Sequence, residues 1–394
     1  HNAMDAHRFS VIVAHRRLGK CLDVDTPIPV FDGGFKRMGD VVVGDKVFDE
    51  NGKQCNVTGA YDVKYGLPCY EITFSDYSTV VCDSEHLWYT QTKLDRTART
   101  KTKGGKWGTL IRREGTVKTT QEIYDTLEYM GESNHSIPFS KPLEYPEQEL
   151  PIPPYVFGCW LGDGTSRNSD ITTMDDEVLD GIKEYAAAND YELKAVGSQH
   201  AGAATTYSIV GGDPSSRHTW QTIEKPHSIT RLRRLGVLMN KHIPDVYLYN
   251  SVSNRLELLK GLMDTDGSIT KDSYCEITQK NKKLAFNIGL LLSTFGMRWS
   301  IKEKIIKGAT YWRVTFRPLF DCFKIKRKSD RFAESKTFNL FNRYIWDIKK
   351  IESRPVRCIS VDSPSSLFLC TKSMIPTHNT VCVINQLIKY AYLC

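Results

Sequence analysis

No stretch of this sequence is long and apolar enough to cross a bilayer, which takes about 20 consecutive apolar residues, and no secretory leader opens it. A cytoplasmic protein without a membrane partner is therefore expected. The 11 cysteines are an odd number, and none falls in a CxxC pair. That pattern indicates neither a zinc site nor a disulfide framework, so free thiols in a reducing compartment are expected, some buried and one or two reactive. Charge of neither sign dominates: the net charge is +7 over 394 residues, a quarter of them charged and 40% hydrophobic, as in an ordinary globular chain. The positive excess gathers at Lys93 to Arg113 and at Lys324 to Arg331, runs that suit either phosphate backbones or solvated surface. One core seldom serves a chain this long, and two or more domains are expected. His1 to Ala3 reads as a cloning remnant.

A hydroxyl is missing where one is needed. Arg8 to Lys20, RFSVIVAHRRLGK, reads as a buried strand running into a phosphate-binding turn. Such a turn requires Ser or Thr directly after Gly-Lys to hold magnesium, yet Cys21 follows. The missing half is at the far end, where Thr380 opens TVCVINQLIKYAYLC with helical apolar spacing. Joining Lys20 to Thr380 restores strand, phosphate loop and helix, so residues 21–379 read as an insertion. The joined flanks resemble the ATPase motor of phage large terminases, which implies a bacterial or phage-infected cell.

Between the flanks the pattern changes twice. From Cys21 to about Thr90, short strands alternate with turn signals at Asp32-Gly33-Gly34, Gly44-Asp45 and Glu50-Asn51-Gly52, the mark of an all-β unit. Prolines between Pro138 and Pro154 mark a boundary. Tyr155 to about Leu340 mixes helical and strand patterns, suggesting α+β, and strands return near Ser353. The expected domains are an N-terminal flank 1–20, an all-β unit in two parts, 21–145 and 341–379, an inserted α+β domain 146–340, and a C-terminal flank 380–394.

Three separated blocks carry a second resemblance. CLDVDTPIPVFDGGFKRMGDVVVGDKVFDENG from Cys21, ITFSDYSTVVCDSEHLWYT from Ile72 and VRCISVDSPSSLFLCTKSMIPTHN ending at Asn379 resemble the blocks of inteins, self-splicing elements with a β fold of the Hint type. The resemblance implies excision of residues 21–379 and ligation of Lys20 to Thr380, with the flanks as substrate and no cofactor. An amide must become a labile thioester or ester, which takes a nucleophile near the Lys20 carbonyl and a proton donor for the departing nitrogen. His86 is implied as the activating group, with Asp83 where the family usually has Thr. Asn379 would attack its own carbonyl carbon through its side-chain amide, His378 would assist by proton transfer, and Thr380 would accept the upstream acyl group. Trp88, Cys358 and Thr377 resemble the trio of class 3 inteins, in which the block cysteine attacks the upstream junction directly. Members of that class usually lack a nucleophile at the first position, so Cys21 makes this a mixed case; Cys358 is favoured as a participating nucleophile, with Cys21 either redundant or the true initiator. Cys55, Cys69, Cys82 and Cys370 read as small buried hydrophobes; Trp88 could be a core aromatic and His86 a core histidine.

Within the α+β region, VFGCWLGDG from Val156 and LKGLMDTDG from Leu259 resemble the paired helices of LAGLIDADG homing endonucleases. Gly158 and Gly261 would allow close approach, bringing Asp163 and Asp266 together to hold Mg²⁺ for hydrolysis of double-stranded DNA, one strand per half. LRRLGVLMNKHIP resembles the block that presents a lysine, here Lys241. Strands around Tyr207, Tyr274 and Tyr311 to Phe316 could form saddles on DNA. A monomer competent for both reactions is expected; the rivals are a DNA-binding module on an inert scaffold and a hedgehog-type domain that cleaves without ligating. The basic segment Lys93 to Lys118 has no assigned role.

Overall fold

The computed structural model describes residues 20–101, 107–110, 113–197, 204–211, 227–333 and 341–379. Both flanks beyond Lys20 and Asn379, including Thr380 and the phosphate loop they would rebuild, lie outside the described residues.

The first part is mainly β, as its alternation demands, with short helices at Lys93–Thr97 and Thr120–Asp125. Gln54–Ala60 buries Cys55 and Val57 and exposes the residues between them, and the expected turns use glycines at positive φ: Gly33 (98°), Gly34 (80°), Gly44 (92°) and Gly52 (75°), where a side chain would be strained. The largest sheet has six strands, in the order Ser136–Pro138, Asn342–Ile351, Cys69–Phe74, Thr79–Asp83, Leu22–Asp23, Val356–Arg357.

The first two of those strands explain how the chain tolerates so large an insertion. Ser136 faces Tyr344 and Ile137 faces Arg343 in an antiparallel ladder, so the chain leaves the sheet and re-enters it on adjacent strands. The inserted domain occupies the place of a hairpin loop, and its ends are held at one ladder spacing whatever folds between them. Arg343 pins this exit. Its buried guanidinium meets Asp76 at 2.7 Å and lies over the Phe139 ring, 4.4 Å from the centroid. Burial alone would raise the Asp76 pKa, but Arg343 and Ser78 outweigh it and hold the carboxyl below its ordinary value. The strands resume at Asn342, earlier than the expected Ser353, because Asn342–Ile351 carries the alternation that completes this sheet.

The inserted domain is α+β. Helix Pro154–Asp163 begins with proline in its first turn, where the lost N–H has no intrahelical partner. Helix Val252–Thr265 is capped by Ser251, whose hydroxyl accepts from the Asn254 amide. The two helices cross at Gly158 and Gly261: a Cβ at Gly158 would lie 3.0 Å from the Gly261 Cα and from the Leu262 nitrogen. Nothing larger than glycine fits that approach. On either side stand a three-stranded sheet containing Thr205–Gly211, with Tyr207, and a four-stranded sheet containing Cys275–Gln279 and Ala309–Phe316.

One expectation about cysteine is corrected. Cys21 and Cys358 are joined as a disulfide, with Cα atoms 4.4 Å apart and a sequence separation of 337. Leu22 faces Arg357 and Asp23 faces Val356, so residues 21 and 358 are the next cross-strand pair, and antiparallel pairs can bring Cα atoms that close. Cys55, Cys69, Cys82 and Cys370 are free and buried as expected, and burial pushes the Cys55 and Cys370 thiols up to about 12.

Candidate functional site

At the upstream junction, Cys21 immediately precedes the two-residue strand Leu22–Asp23, which is held between Thr79–Asp83 and Val356–Arg357. Its amide N–H donates to Asp83 Oδ2 at 3.0 Å, while the Asp83 amide donates to the Cys21 carbonyl at 3.1 Å. The peptide nitrogen between Lys20 and Cys21 is thus gripped by a carboxyl group only 2% exposed. Asp83 Oδ1 is buried with no hydrogen-bond partner. Burial drives the Asp83 pKa up to about 7, against the pull of the Cys21 amide and the charge of Lys64.

His86 lies between the two junctions. Its ring packs edge-on to Trp88, with centroids 4.9 Å apart at 64°, and Nε2 is bonded to Thr377 Oγ1. Trp88 is anchored through Nε1–H to Thr120 Oγ1 at 3.0 Å, and the Thr120 hydroxyl donates in turn to the His86 carbonyl at 3.2 Å. These bonds fix the imidazole in place. Complete burial pushes its pKa down to about 3, the Lys20 main chain acting in the opposite sense and His378 and Lys20 adding to the fall. The ring is therefore neutral near pH 7. Lys20 and His378 both influence its titration, and Thr377 holds its Nε2.

At the downstream junction, strand Ile375–His378 pairs with Leu367–Cys370, with Leu367 facing His378. His378 Nδ1 is 2.8 Å from the Asn379 carbonyl oxygen, and because a carbonyl only accepts, Nδ1 carries the proton. The Asn379 amide donates to Ser366 O at 2.8 Å and its side-chain Nδ2 donates to Val361 O at 2.9 Å, leaving Oδ1 buried and unpartnered. The carbonyl of the bond to be broken is thus polarised by a donor, and the side chain expected to attack it is immobilised beside it. The fold therefore brings Cys21, His86, Trp88, Cys358, Thr377, His378 and Asn379 together.

A second candidate site lies at the C-terminal ends of the two glycine-packed helices. Asp163 and Asp266 are exposed there. Burial raises the Asp163 carboxyl to about 6, with the charge of Asp266 adding to it and Lys241 and Lys328 opposing. Burial also raises Asp266, against a hydrogen bond from Gln279 Nε2 at 2.6 Å and the same two lysines. Lys241 Nζ caps the first helix through the carbonyls of Leu161, Gly162 and Gly164 at 3.0, 3.0 and 2.7 Å, and burial lowers its pKa to about 8.

The sequence reading missed the mate of Lys241. Lys328 Nζ caps the second helix in the same way, donating to the carbonyls of Met263, Asp264 and Gly267 at 2.9, 2.7 and 2.7 Å. The two halves thus place one carboxylate and one lysine each at a shared centre. Lys328 lay in plain view within the basic run Lys324 to Arg331, where no residue pattern singles out the lysine that turns inward. Among the described residues no group of three or more His, Cys, Asp or Glu forms a metal-binding cluster, so any cation there would rest on these two carboxylates and on main-chain or solvent oxygens.

Residues 253–321 match the family model of the LAGLIDADG-like domain. Over 382 residues, 94% of the chain, the sequence is 34% identical to a replicative DNA helicase DnaB of Mycobacterium intracellulare. The chain spans 60% of that relative's length. A replicative DNA helicase DnaB of Mycobacterium leprae (strain TN) is 38% identical over 89 residues, 23% of this chain and 15% of the relative. Both relatives are helicases, where the flanks had suggested a terminase. Among solved structures, the MchDnaB-1 intein is similar at 14% identity over 91% of this chain and 99% of its own, with a TM-score of 0.28. I-DmoI in complex with DNA and Ca is similar at 12% identity over 45% of this chain and 94% of its own, with a TM-score of 0.32.

Proposed function

We propose that this chain is an intein that excises residues 21–379, ligates Lys20 to Thr380, and carries a homing endonuclease of the LAGLIDADG kind that cuts double-stranded DNA. The observation that carries the splicing half is the convergence on His86 of Lys20, which opens the upstream junction Lys20–Cys21, and of Thr377 and His378, which lead into the downstream junction Asn379–Thr380, from opposite ends of the sequence.

Splicing starts once the Cys21–Cys358 pair is reduced by a thiol. One sulfur attacks the Lys20 carbonyl carbon; the C–S bond forms, the bond to the Cys21 nitrogen breaks, and the thiol proton ends on that nitrogen. Cys358 is the favoured attacker, because Trp88 and Thr377, the other members of its trio, both contact His86. The Lys20 acyl group then passes to the Thr380 hydroxyl. Asn379 Nδ2 attacks its own carbonyl carbon and releases Thr380, while His378 Nδ1–H stabilises the developing oxyanion, a contribution of about 3 kcal/mol for such a donor. The freed amine of Thr380 takes the acyl group from oxygen, leaving an ordinary peptide bond. No cofactor enters.

For the nuclease, Asp163 and Asp266 fit a divalent cation: both are hard oxygen donors whose ionisation is resisted at their shared position, and a cation between them would remove that resistance. Mg²⁺ held there would activate water and stabilise the leaving oxygen. Lys241 and Lys328, fixed by helix-end carbonyls, supply positive charge for the scissile phosphates, one per strand. The flanking sheets, with Tyr207 and the strand Ala309–Phe316, face DNA as saddles, and the chain acts as a monomer. The host is a phosphate-loop ATPase interrupted within its loop, read as a replicative helicase on the strength of the matched relatives rather than as a terminase.

Intact-mass analysis of the reduced full chain tests this reading, beside Cys21→Ala and Cys358→Ala. The expected products are free 21–379 and one ligated flank peptide, formed by wild type and by Cys21→Ala but not by Cys358→Ala. The reverse pattern in the two variants transfers the first attack to Cys21. A chain that stays at full mass, or yields two separate flanks, overturns the splicing assignment.

A further inference from the structure

We infer that Asp83 is a catalytic residue of the upstream junction, its carboxylate carrying the proton from the attacking thiol to the departing Cys21 nitrogen. This rests on the reading of Lys20–Cys21 as a bond that the chain breaks.

The requirement comes from the chemistry. When a sulfur displaces the amide nitrogen, that nitrogen leaves as an amine only if it gains a proton, and the thiol must lose one. A single group that contacts the nitrogen and ionises near neutral pH can do both. His86 is poorly placed to shuttle that proton, since its ring is neutral, its pKa is held near 3 by burial, and its Nε2 is committed to Thr377. Asp83 contacts the nitrogen itself, at 3.0 Å. A second oxygen, Oδ1, is buried with no hydrogen bond of good geometry, although the Glu85 and His86 amides favour its charge, an expensive arrangement for a carboxyl that serves only to hold a turn.

The surroundings set its titration. Lys64 is the cation that favours the charged form, and the amides of Cys21, Glu85 and His86 favour it too. The Cys82 thiol beside it is held protonated by burial, and Cys69 faces Asp83 across the sheet. Burial outweighs all of these and sets the pKa at about 7, midway between a good base for a thiol and a good acid for an amine.

The step balances. Sulfur bonds to the Lys20 carbonyl carbon as its proton passes to the carboxylate; the C–N bond breaks as that proton passes to the Cys21 nitrogen, and Asp83 is ionised again. The reactive state holds one proton between thiol and carboxyl. The rate therefore rises with pH as Asp83 ionises through about 7 and falls again once the thiol, ordinarily near a pKa of about 8.5, is lost.

The test uses the full chain carrying Asn379→Ala, which blocks the downstream step, in saturating dithiothreitol, which reduces the disulfide and traps the thioester by releasing residues 1–20. The release rate is followed by mass from about pH 5.5 to 9. Expected is a rise through about pH 7 in this background, a loss of about 10²-fold and of the rise itself in Asp83→Asn, and a slower rate with the rise retained in Asp83→Glu. Asp83→Asn within threefold of the background, or with the same rise, overturns the inference. If Asp83→Asn loses its circular-dichroism signal, the background's own profile decides: a rate that is flat across pH 7 overturns it. A background that releases no fragment at any pH instead removes the splicing reading beneath it.

Discussion

The splicing centre and the nuclease end solve opposite problems with the same device of bringing distant residues face to face. In the splicing centre the substrate is the chain itself, so the reactive groups are sealed: Asp83 Oδ1, His86 Nδ1 and Asn379 Oδ1 are all buried without partners. At the nuclease end the substrate comes from outside, so the carboxylates of Asp163 and Asp266 reach the surface, and Lys241 and Lys328 beside them are each anchored by three carbonyls.

Single substitutions should separate the two regions cleanly. The largest effect is expected from Asn379→Ala, which removes the attacking amide: ligated flank peptide should fall by on the order of 10⁴-fold or more, while cleavage of a DNA carrying the intein-free junction stays at the wild-type rate. A parallel loss of DNA cutting would break the comparison. Next comes Asp163→Asn, which should lower DNA cleavage by about 10³-fold and leave ligation untouched, as read by gel and by mass on one preparation. Smallest are Lys241→Met and Lys328→Met, each expected to slow cutting by about 10²-fold. Their mirrored bonding predicts losses that affect one strand more than the other, Lys241→Met and Lys328→Met leaving opposite nicks. Identical nicking by both would show that the two lysines do not serve separate halves.

What the sequence disclosed follows from how locally each feature is encoded. His378 and Asn379 were legible because the closing block resembles that of inteins and sits at the downstream seam, and Gly158 and Gly261 because their segments resemble the paired helices of LAGLIDADG endonucleases. The turn glycines announced themselves through their backbone freedom. The Cys21–Cys358 pairing was hidden, since it depends on the register of two-residue strands 337 positions apart, and no spacing rule reaches that far. Lys328 was hidden among neighbouring lysines and arginines, because its role comes from the helix-end carbonyls it meets. Asp83 was noticed as a departure from the usual threonine, but its hold on the Cys21 nitrogen became visible only with the fold.

One buried histidine, His86, packed on Trp88 and bonded to Thr377, holds the groups of both junctions in position. In reduced full-length protein carrying His86→Ala, upstream release by dithiothreitol and downstream release of the C-terminal flank can be timed by mass in a single experiment. Both rates are predicted to fall by at least about 10²-fold, with the protein still folded and still cutting DNA. If either release keeps its wild-type rate, the two junctions do not share a centre and the mechanism is contradicted.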